Sequence, residues 1–392
     1  MFIKDQSILK ELELELTKDC KKLERFLDAL YVIKEISPRS KDVIIGTGEK
    51  LSCRIVSAYI NSIGLKAELV DLGDVITENF SSKSLEQPFY DHLSQQFSKA
   101  VGKCKGSIPV ITGFFGPVPG SLLTSIGRGY TDLAAALVAV GVGATELQIW
   151  KEVDGIFTAD PRKVKNARLL PIISPEEAAE LTYYGSEVIH PFTMEQVMRA
   201  RIPIRIKNVQ NPSGEGSIIL PNNENDEPPA ELFLLNGYDA NLTRRHPTAV
   251  TIKEDMLILN VHSNRKSVSH DFFANLFTVL DAHGIVVDLI STSEVHVSLA
   301  ISHVAHIACL VKELSKYGEV EVQDKVCILS LVGKQMRNMV GIAAQMFSTL
   351  AEADINIEMI SQGSSEINIS CVIPQSQGLI ALNSIHKNLL EY

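Results

Sequence analysis

The chain has 392 residues, 45% of them apolar, and a formal net charge of −10. This length exceeds one ordinary core, so two or three domains are expected, and the acidic balance argues against nucleic acid or an anionic membrane as the main partner. No apolar stretch reaches the roughly 20 residues that cross a bilayer, and the N-terminus lacks the apolar run of a secretory signal.

The first half alternates helical and strand-like patterns. Residues 7–36 place leucines on a rough helical stripe. Five apolar runs are then predicted as strands between helical patterns: "DVIIGTG", "AELVDLG", "IPVITGFFG", "ELQIW" and "IPIRIKN". This alternation predicts an α/β fold with a largely parallel sheet. The Pro- and Asn-rich stretch 221–247 is interpreted as a linker between this half and the next.

The second half contains an internal repeat. "LFTVLDAHGIVVDLIS" begins at residue 276, and the similar "MFSTLAEADINIEMIS" begins 70 residues later at 346. The first copy, 256–324, reads as a βαββαβ unit, whereas the second copy, 325–392, lacks a sixth strand. A spare strand at 248–255 precedes the first copy. We expect this strand to complete the second copy, so that one copy is inserted within the other.

The cysteines and histidines form no recognisable ligand motif. The six cysteines show no C-x-x-C spacing, and the ten histidines include no H-E-x-x-H motif. Free thiols in a reducing compartment such as the cytoplasm are therefore expected, and no metal site is predicted.

An arginine lies between two glycines where an apolar helix begins, in "GRGYTD" (127–132). A glycine-rich turn that leaves a strand and opens a helix presents backbone N–H groups to an anion, and Arg128 adds a planar, bidentate donor. An exposed turn with a helix cap at Thr131 or Asp132 is an equal alternative.

Two other segments strengthen the ligand-binding interpretation. "IGTGEKLSC" (45–53) is predicted as a glycine turn between a strand and a helix, where Glu49 caps the helix or holds an ammonium group. "WKEVDGIFTADPRKV" (150–164) follows a buried strand with many charges, which need partners there. We therefore expect a ligand-binding loop at that strand's C-terminal end. The segment contains neither a P-loop nor a Rossmann motif.

The chain resembles the fungal aspartate kinases, members of the amino acid kinase family with C-terminal ACT domains. The kinase-like segments are "GFFG", "GRGYTD", "KEVDGIFTADPRKV", "PEEAAELTYYGSEVIHPFTMEQV" and "IPIRIKNVQNP". The ACT-like segments are "VVDLISTSEVHVS" and "INIEMISQGSSEINIS". The resemblance implies an α/β fold. Its kinase part, 1–220, is a carbamate kinase-like three-layer sandwich, and two ferredoxin-like βαββαβ ACT repeats follow.

The resemblance also implies an activity and its residues. ATP, with Mg²⁺, would phosphorylate L-aspartate, the first step toward threonine, methionine and, in many organisms, lysine. Glu49 would bind the substrate ammonium and Arg128 its α-carboxylate, with Phe114, Thr131 and Asp132 lining the pocket. The nucleotide would be held by Lys151, Glu152, Phe157, Asp160 and Arg162. Lys207 would contact a phosphate, although a solvated lysine at a strand end is nearly as good an interpretation.

The ACT repeats imply a homo-oligomer and an amino-acid effector, with L-threonine as the expected inhibitor. The implied effector contacts in the first repeat are Ser269, Asp271, Phe272, Asp288, Ser293 and Glu294. For Ser269 and Ser293, a role at a strand end or helix cap is at least as good an interpretation. Asp271 also stands where the family has a glycine, which predicts weaker effector binding.

One family motif is missing. The family opens with a Lys-Phe-Gly-Gly-Thr-Ser type of segment, whereas this sequence contains no Gly-Gly dipeptide. We therefore expect an N-terminally incomplete kinase domain, either from an incomplete sequence or in a chain that has lost catalysis. Three hypotheses follow: an aspartate kinase, an inactive regulatory chain that binds amino acids, and a kinase for another small carboxylate. "GRGYTD" and "GEKLS" argue against the third.

Overall fold

The chain divides into two compact units. The first comprises Met1–Ile149 and Ile189–Arg205, and the second comprises Trp150–Val188 and Ile206–Tyr392. The predicted boundary near residue 220 therefore lies inside the second unit. The computed structural model describes residues 3–391 apart from 79, 81–84, 128, 185–188, 190, 223–245, 264–269, 294–295, 305–306, 335, 337–338 and 364–366, and only the backbone of 183–184, 191 and 270–271. Most of the predicted linker thus lies outside the described residues.

Helices and strands alternate along the chain. The helices are α1 (Gln6–Ile33), α2 (Pro38–Ser62), α3 (Gln87–Val101), α4 (Leu122–Ser125), α5 (Tyr130–Val142), α6 (Pro175–Tyr184), α7 (Pro191–Arg199), α8 (His270–Ala282), α9 (Ile307–Leu314), α10 (Ile342–Glu352) and α11 (Gly378–Leu389). The strands are β1 (Ala67–Leu72), β2 (Ile108–Phe115), β3 (Leu147–Lys151), β4 (Ile172–Ile173), β5 (Ile204–Asn208), β6 (Ser217–Ile219), β7 (Ala249–Ser263), β8 (Val287–Thr292), β9 (His296–Ser302), β10 (Gly318–Val332), β11 (Met359–Ser361) and β12 (Asn368–Pro374). In the described ranges, no helix combines the length and apolarity required to cross a membrane.

The N-terminal helix is confirmed as α1, but the predicted strand "DVIIGTG" is wrong. Its residues belong to α2, whose start is marked by the side chain of Ser37, which accepts a hydrogen bond from the Ser40 backbone N–H, and by Pro38 in the first turn. Val43 and Ile45 are 44% and 43% exposed, so this apolar run is not a buried strand. Glu49 therefore lies within a helix, and the predicted glycine turn at 45–53 is also wrong.

The first unit is built on the predicted strands "AELVDLG" and "IPVITGFFG", which form β1 and β2. They pair in parallel from Ala67 opposite Ile108 to Leu72 opposite Phe115. Helix α2 packs against both strands, and α3 and α5 pack against each other and against the sheet. The resulting core includes Leu72, Phe89, Leu93, Phe97, Phe115, Leu133 and Leu137. Both strands therefore end beside α2 and α5, where the candidate substrate residues lie.

The predicted strands "ELQIW" and "IPIRIKN" form β3 and β5. They belong to a four-stranded sheet of order β3–β5–β6–β4, in which β4 and β6 are parallel. The division between the two units passes through β3 and β5. After β3, residues 152–171 contain no helix or strand, apart from an isolated bridge between Phe157 and Leu169. This charged segment is called the 152–171 loop below.

The two repeats form one six-stranded sheet of order β11–β12–β10–β7–β9–β8. Strands β7 and β10 each have 15 residues and are antiparallel to each other. Residues 258–263 of β7 pair with 318–323, the last strand of the first copy, and residues 249–253 pair with 328–332 of the second copy. Each of these long strands therefore belongs to both copies.

The edge strands β8 and β11 contact each other, so the two ends of the sheet lie close together. Its inner face holds a core to which both copies contribute, made of Met256, Ile258, Leu289, Ala300, Val326, Ile328, Met359 and Val372. The outer faces carry a separate helix-covered core for each copy. The inner core therefore connects the stability of one copy to that of the other.

We expect Ile328→Ala to destabilise both copies together. Ile328 is fully buried in the shared inner core, and such a truncation costs about 2–5 kcal/mol. Hydrogen exchange measured by mass spectrometry on the whole chain should show faster exchange of the slowest amides of both β9 and β12. The matched control is Ile380→Ala, since Ile380 is 56% exposed. Acceleration confined to the second copy would contradict the prediction.

Candidate active site

A half-buried glutamate, Glu49, lies at the centre of the candidate substrate site in the first unit. Glu49 of α2 accepts a hydrogen bond at Oε1 from the hydroxyl of Tyr130, the first residue of α5. Its other oxygen, Oε2, is buried and has no hydrogen-bond partner among the described residues. A buried carboxylate oxygen without a partner costs free energy, so this atom is suited to a cationic donor supplied by a ligand.

Glycines allow close packing around this carboxylate. A Cβ on Gly113 of β2 would lie 2.9 Å from Glu49 Oε2 and 2.8 Å from Thr131 Cγ2, so only glycine fits here. A Cβ on Gly46 of α2 would lie 2.5 Å from Cγ of Phe114, so the Phe114 ring lies directly against the helix backbone. The structure thus brings together Glu49, Phe114 and Thr131, three of the predicted substrate residues.

The phenol of Tyr130 is held in its protonated form. Burial is the main cause that raises its pKa, and the hydrogen bond to Glu49 and the negative charge of that carboxylate raise the pKa further. Tyr130 therefore remains a hydrogen-bond donor to Glu49 at neutral pH. The sequence analysis did not single out Tyr130, although it lies inside the quoted motif "GRGYTD".

The "GRG" segment follows a helix, which corrects the expectation that it leaves a strand. It lies between α4 and α5, and Gly129 occupies the N-cap position of α5. Thr131 and Asp132 are in the first turn of that helix, so neither is its cap. The buried carboxylate of Asp42 accepts from Ser121 Oγ at 2.9 Å and from the Leu122 backbone N–H at 2.6 Å, which ties α2 to the start of α4. Arg128 lies outside the described residues.

In the second unit, the 152–171 loop presents an arginine that is oriented by an aspartate. Arg162 donates through Nε to Asp160 Oδ1 at 3.0 Å and through its terminal nitrogen to Oδ2 at 2.9 Å. The hydrogen bond from Arg162 is the main cause that holds the pKa of Asp160 below its ordinary value. The Arg162 side chain is 83% exposed. It therefore offers a fixed, accessible cation to a ligand.

Three polar side chains outside the predicted set hold this loop. Ser217 Oγ accepts from the Ile156 N–H at 2.8 Å and donates to the Leu170 carbonyl at 2.6 Å. Asp154 Oδ1 accepts from the side-chain amides of Asn208 and Asn211 at 3.1 and 3.3 Å. The motif "IKNVQNP" contains both asparagines, but their partner could not be inferred from spacing.

The other predicted nucleotide residues occupy different environments. Lys207 of β5 lies with Nζ 5.0 Å from the centre of the Trp150 ring, a cation–π contact. Lys151 is half-buried at the end of β3, Glu152 is exposed, and Phe157 forms the bridge to Leu169. The ammonium of Lys207 is therefore placed over an aromatic ring, and its proposed contact with a phosphate stays a prediction.

The predicted effector residues are not gathered into one described cluster. Phe272 is buried in the outer core of the first copy, and Ser293 is exposed. The Asp288 side chain is 1% exposed and pairs with Lys253 Nζ at 2.5 Å. Ser269 and Glu294 lie outside the described residues, as does the side chain of Asp271. For Asp288, the pairing with Lys253 is a structural role that the sequence did not indicate.

Each unit, taken by itself, carries groups of a kind that phosphoryl transfer to an amino acid uses. A carboxylate with a free oxygen can hold an ammonium group, and an exposed arginine can neutralise phosphate charge. Phosphoryl transfer depends on alignment and charge neutralisation more than on covalent catalysis.

Comparisons with known proteins agree with this chemistry. The model of the amino acid kinase family matches residues 8–208, and that of the ACT domain matches 329–389. The aspartokinase of Schizosaccharomyces pombe is 52% identical over 100% of this chain and 77% of its own length. The aspartokinase of Saccharomyces cerevisiae is 50% identical over 99% of this chain and 76% of its own length.

Solved structures show the same likeness. The structure of Escherichia coli aspartokinase III in complex with aspartate and ADP matches with a TM-score of 0.73 at 26% identity, covering 95% of this chain and 81% of the other. The same enzyme in complex with lysine and aspartate matches with a TM-score of 0.72. The predicted fold class, an amino acid kinase fold with ACT repeats, is confirmed. By these sequence and structural matches, the chain belongs to the aspartokinase family.

Proposed function

We propose that this aspartokinase transfers the γ-phosphoryl group of ATP to the side-chain carboxylate of L-aspartate, and that Glu49 binds the substrate ammonium. The observation that carries the proposal is the buried oxygen Oε2 of Glu49, which lacks a partner among the described residues. An ammonium group there would supply the missing donor. Gly113 and Thr131 lie beside this oxygen, and Phe114 packs against α2 nearby. Arg128, which lies outside the described residues, and Asp132 are the further substrate residues that we propose.

Binding by the ammonium and the α-carboxylate would leave the substrate's β-carboxylate free to react. That carboxylate is ionised at neutral pH and is already a nucleophile, so its orientation toward the γ-phosphate is the main requirement. Glu49 and Arg128 would supply this orientation, because Glu49 would bind the ammonium and Arg128 the α-carboxylate of the same substrate molecule. A proton acceptor is not needed for the transfer.

The 152–171 loop would hold the nucleotide, with Arg162 on the phosphates and Asp160 fixing its direction. Lys151, Glu152, Phe157 and Lys207 are the further nucleotide residues that we propose. Mg²⁺ binds mainly phosphate oxygens and water with one or two carboxylates, and it would neutralise charge on the phosphates. Both oxygens of Asp160 accept from Arg162, whereas the contacts of Asp154 among the described residues fall on Oδ1. Asp154 is therefore the better carboxylate for Mg²⁺.

The ACT repeats would regulate this activity. We propose L-threonine as the effector of a homo-oligomer, bound at the first copy near the exposed Ser293 and the end of β8. The aspartokinase III structure with lysine and aspartate supports an amino-acid effector in general. A reducing compartment such as the cytoplasm is the proposed location, in keeping with the six unpaired cysteines.

Glu49→Gln should raise the Kd for aspartate about 10- to 100-fold and leave the Kd for ADP unchanged. The reason is the loss of a charge-assisted contact worth roughly 1.5–3 kcal/mol. Arg128→Ala should have the same pattern. Calorimetric titration of the whole chain measures both constants without requiring turnover. Glu11→Gln, an exposed position of α1, is the matched control. An aspartate Kd within twofold of the parent for Glu49→Gln would remove Glu49 from the site.

Arg162→Ala should have the opposite pattern. The Kd for ADP should rise about tenfold, since a contact of roughly 1.5 kcal/mol with phosphate is lost, while the aspartate Kd stays unchanged. The matched control is Arg199→Ala, because the side chain of Arg199 is 57% exposed on α7. Unchanged ADP affinity would exclude the proposed contact between Arg162 and the phosphates.

Threonine added to the whole chain should release or absorb heat on binding, with smaller or no signals from lysine and methionine. Ser293→Ala should weaken threonine binding about fivefold, the effect of losing one hydrogen bond of about 1 kcal/mol. The matched control is Ser315→Ala, at an exposed position after α9, which should leave threonine binding unchanged. The absence of heat with all three amino acids would contradict regulation of this chain by them.

A further inference from the structure

The 152–171 loop contains no helix or strand, but its own backbone hydrogen bonds hold it locally. The Thr158 N–H donates to the Arg168 carbonyl at 2.9 Å, the Leu170 N–H donates to the Ile156 carbonyl at 2.8 Å, and the N–H groups of Lys163 and Val164 donate to the Asp160 carbonyl at 2.9 Å. These bonds shape the loop around the Asp160–Arg162 pair, but its place in the fold depends on the groups that it packs against. The source of that support determines what else can move the Asp160–Arg162 pair.

Part of the support is the hydrophobic core of the second ACT copy. Ala159 and Val164 are 4% and 2% exposed, and both belong to the core formed by β10, β12, α10 and α11. These two residues flank Asp160 and Arg162 in the chain. The charged pair is therefore carried on a short segment whose two ends are buried among ACT residues.

Thr158 adds a polar anchor next to Ala159. Its carbonyl accepts from the Val250 N–H of β7 at 2.8 Å, and its hydroxyl accepts from the Arg168 N–H at 2.9 Å. The same hydroxyl lies 2.9 Å from Nε2 of His386 in α11. Through these bonds, Thr158 connects the loop to strand β7 and to helix α11. Its hydroxyl also holds the backbone of Arg168, on the other side of the loop.

His386 is fully buried, and its other ring nitrogen faces a carboxylate. Nδ1 lies 3.2 Å from Glu391 Oε1, so Nδ1 carries the proton and donates to Glu391, and Nε2 accepts from the Thr158 hydroxyl. Burial lowers the pKa of His386, which favours this neutral form at neutral pH. Both ring nitrogens of His386 and the hydroxyl of Thr158 are then paired.

Two further hydrogen bonds connect the loop to the C-terminal segment around α11. The Asn383 side-chain amide of α11 donates to the Lys163 carbonyl at 3.2 Å, and the Arg168 guanidinium donates to the Leu390 carbonyl at 3.0 Å. Together with the contact between Thr158 and His386, these bonds hold α11 and the residue after it against the loop on both sides of Asp160 and Arg162.

We propose that His386 is a positioning residue for the nucleotide: through Thr158, it couples the last helix of the second ACT copy to the Asp160–Arg162 pair. The proposal rests on the proposed nucleotide site in this loop. Loss of the hydrogen bond between Thr158 and His386 leaves the fold in place but lets the pair lose its alignment.

The test measures ADP and aspartate affinity of the whole chain by calorimetry. His386→Leu and Thr158→Val each remove the hydrogen bond while keeping similar side-chain volume, and each should raise the ADP Kd about 3- to 10-fold. His386→Gln, which can still reach Thr158, should restore the ADP Kd to within about twofold. The double variant should weaken ADP binding by less than the product of the two single effects, because both changes remove the same bond between Thr158 and His386. Aspartate affinity should not change.

The controls separate positioning from a purely structural role. His283→Leu, a half-buried histidine at the end of α8, should leave both constants unchanged. ADP Kd values within twofold of the parent for Thr158→Val and His386→Leu would overturn the proposal, as would an equal loss of aspartate affinity that His386→Gln does not restore. Arg162→Ala in the same assay tests the proposed nucleotide site directly. A raised ADP Kd for Arg162→Ala with unchanged values for Thr158→Val and His386→Leu would mean that the site is correct and the coupling through His386 is wrong. If His386→Leu does not fold, Thr158→Val decides alone.

Discussion

The buried Oε2 of Glu49, which has no hydrogen-bond partner among the described residues, is the constraint on which the proposed substrate site depends. Tyr130 satisfies the other carboxylate oxygen, and the missing Cβ of Gly113 leaves room beside Oε2. A carboxylate oxygen in this state is stabilised by a cationic donor, so in the proposed site the substrate ammonium would complete the hydrogen bonding of Glu49. Because aspartate would bring its own nucleophile, the proposed role of the protein is to fix its orientation.

The long strands β7 and β10 impose a second constraint. Each belongs to both ACT copies, so neither copy can form its sheet without the other. The core of the second copy also takes in Ala159 and Val164 of the 152–171 loop. These two residues therefore lie in the same compact unit as the ACT copies.

Strands could be predicted where a buried apolar run matched the sheet. "AELVDLG", "IPVITGFFG", "ELQIW" and "IPIRIKN" are strands, but "DVIIGTG" is helical. Its β-branched residues favoured a strand by propensity, whereas Ser37 and Pro38 marked a helix start that outweighed this preference. Glycines 46 and 48 suggested a turn. Gly46 instead serves the close contact with Phe114, which involves a residue 68 positions away and is invisible to local patterns.

In the candidate site, sequence reasoning identified residues with charge and missed residues that act by burial. Glu49, Asp160 and Arg162 attract notice as charges beside glycine or proline. Thr158, Ala159 and Val164 do not, because small side chains in an irregular segment resemble an ordinary loop. Their burial depends on β10 and α11, more than 150 residues further along the chain. A loop that exposes Arg162 and buries Ala159 and Val164 owes its position to what it packs against as well as to its own hydrogen bonds. If the proposed nucleotide site is correct, the ACT core helps to position it together with the charged residues.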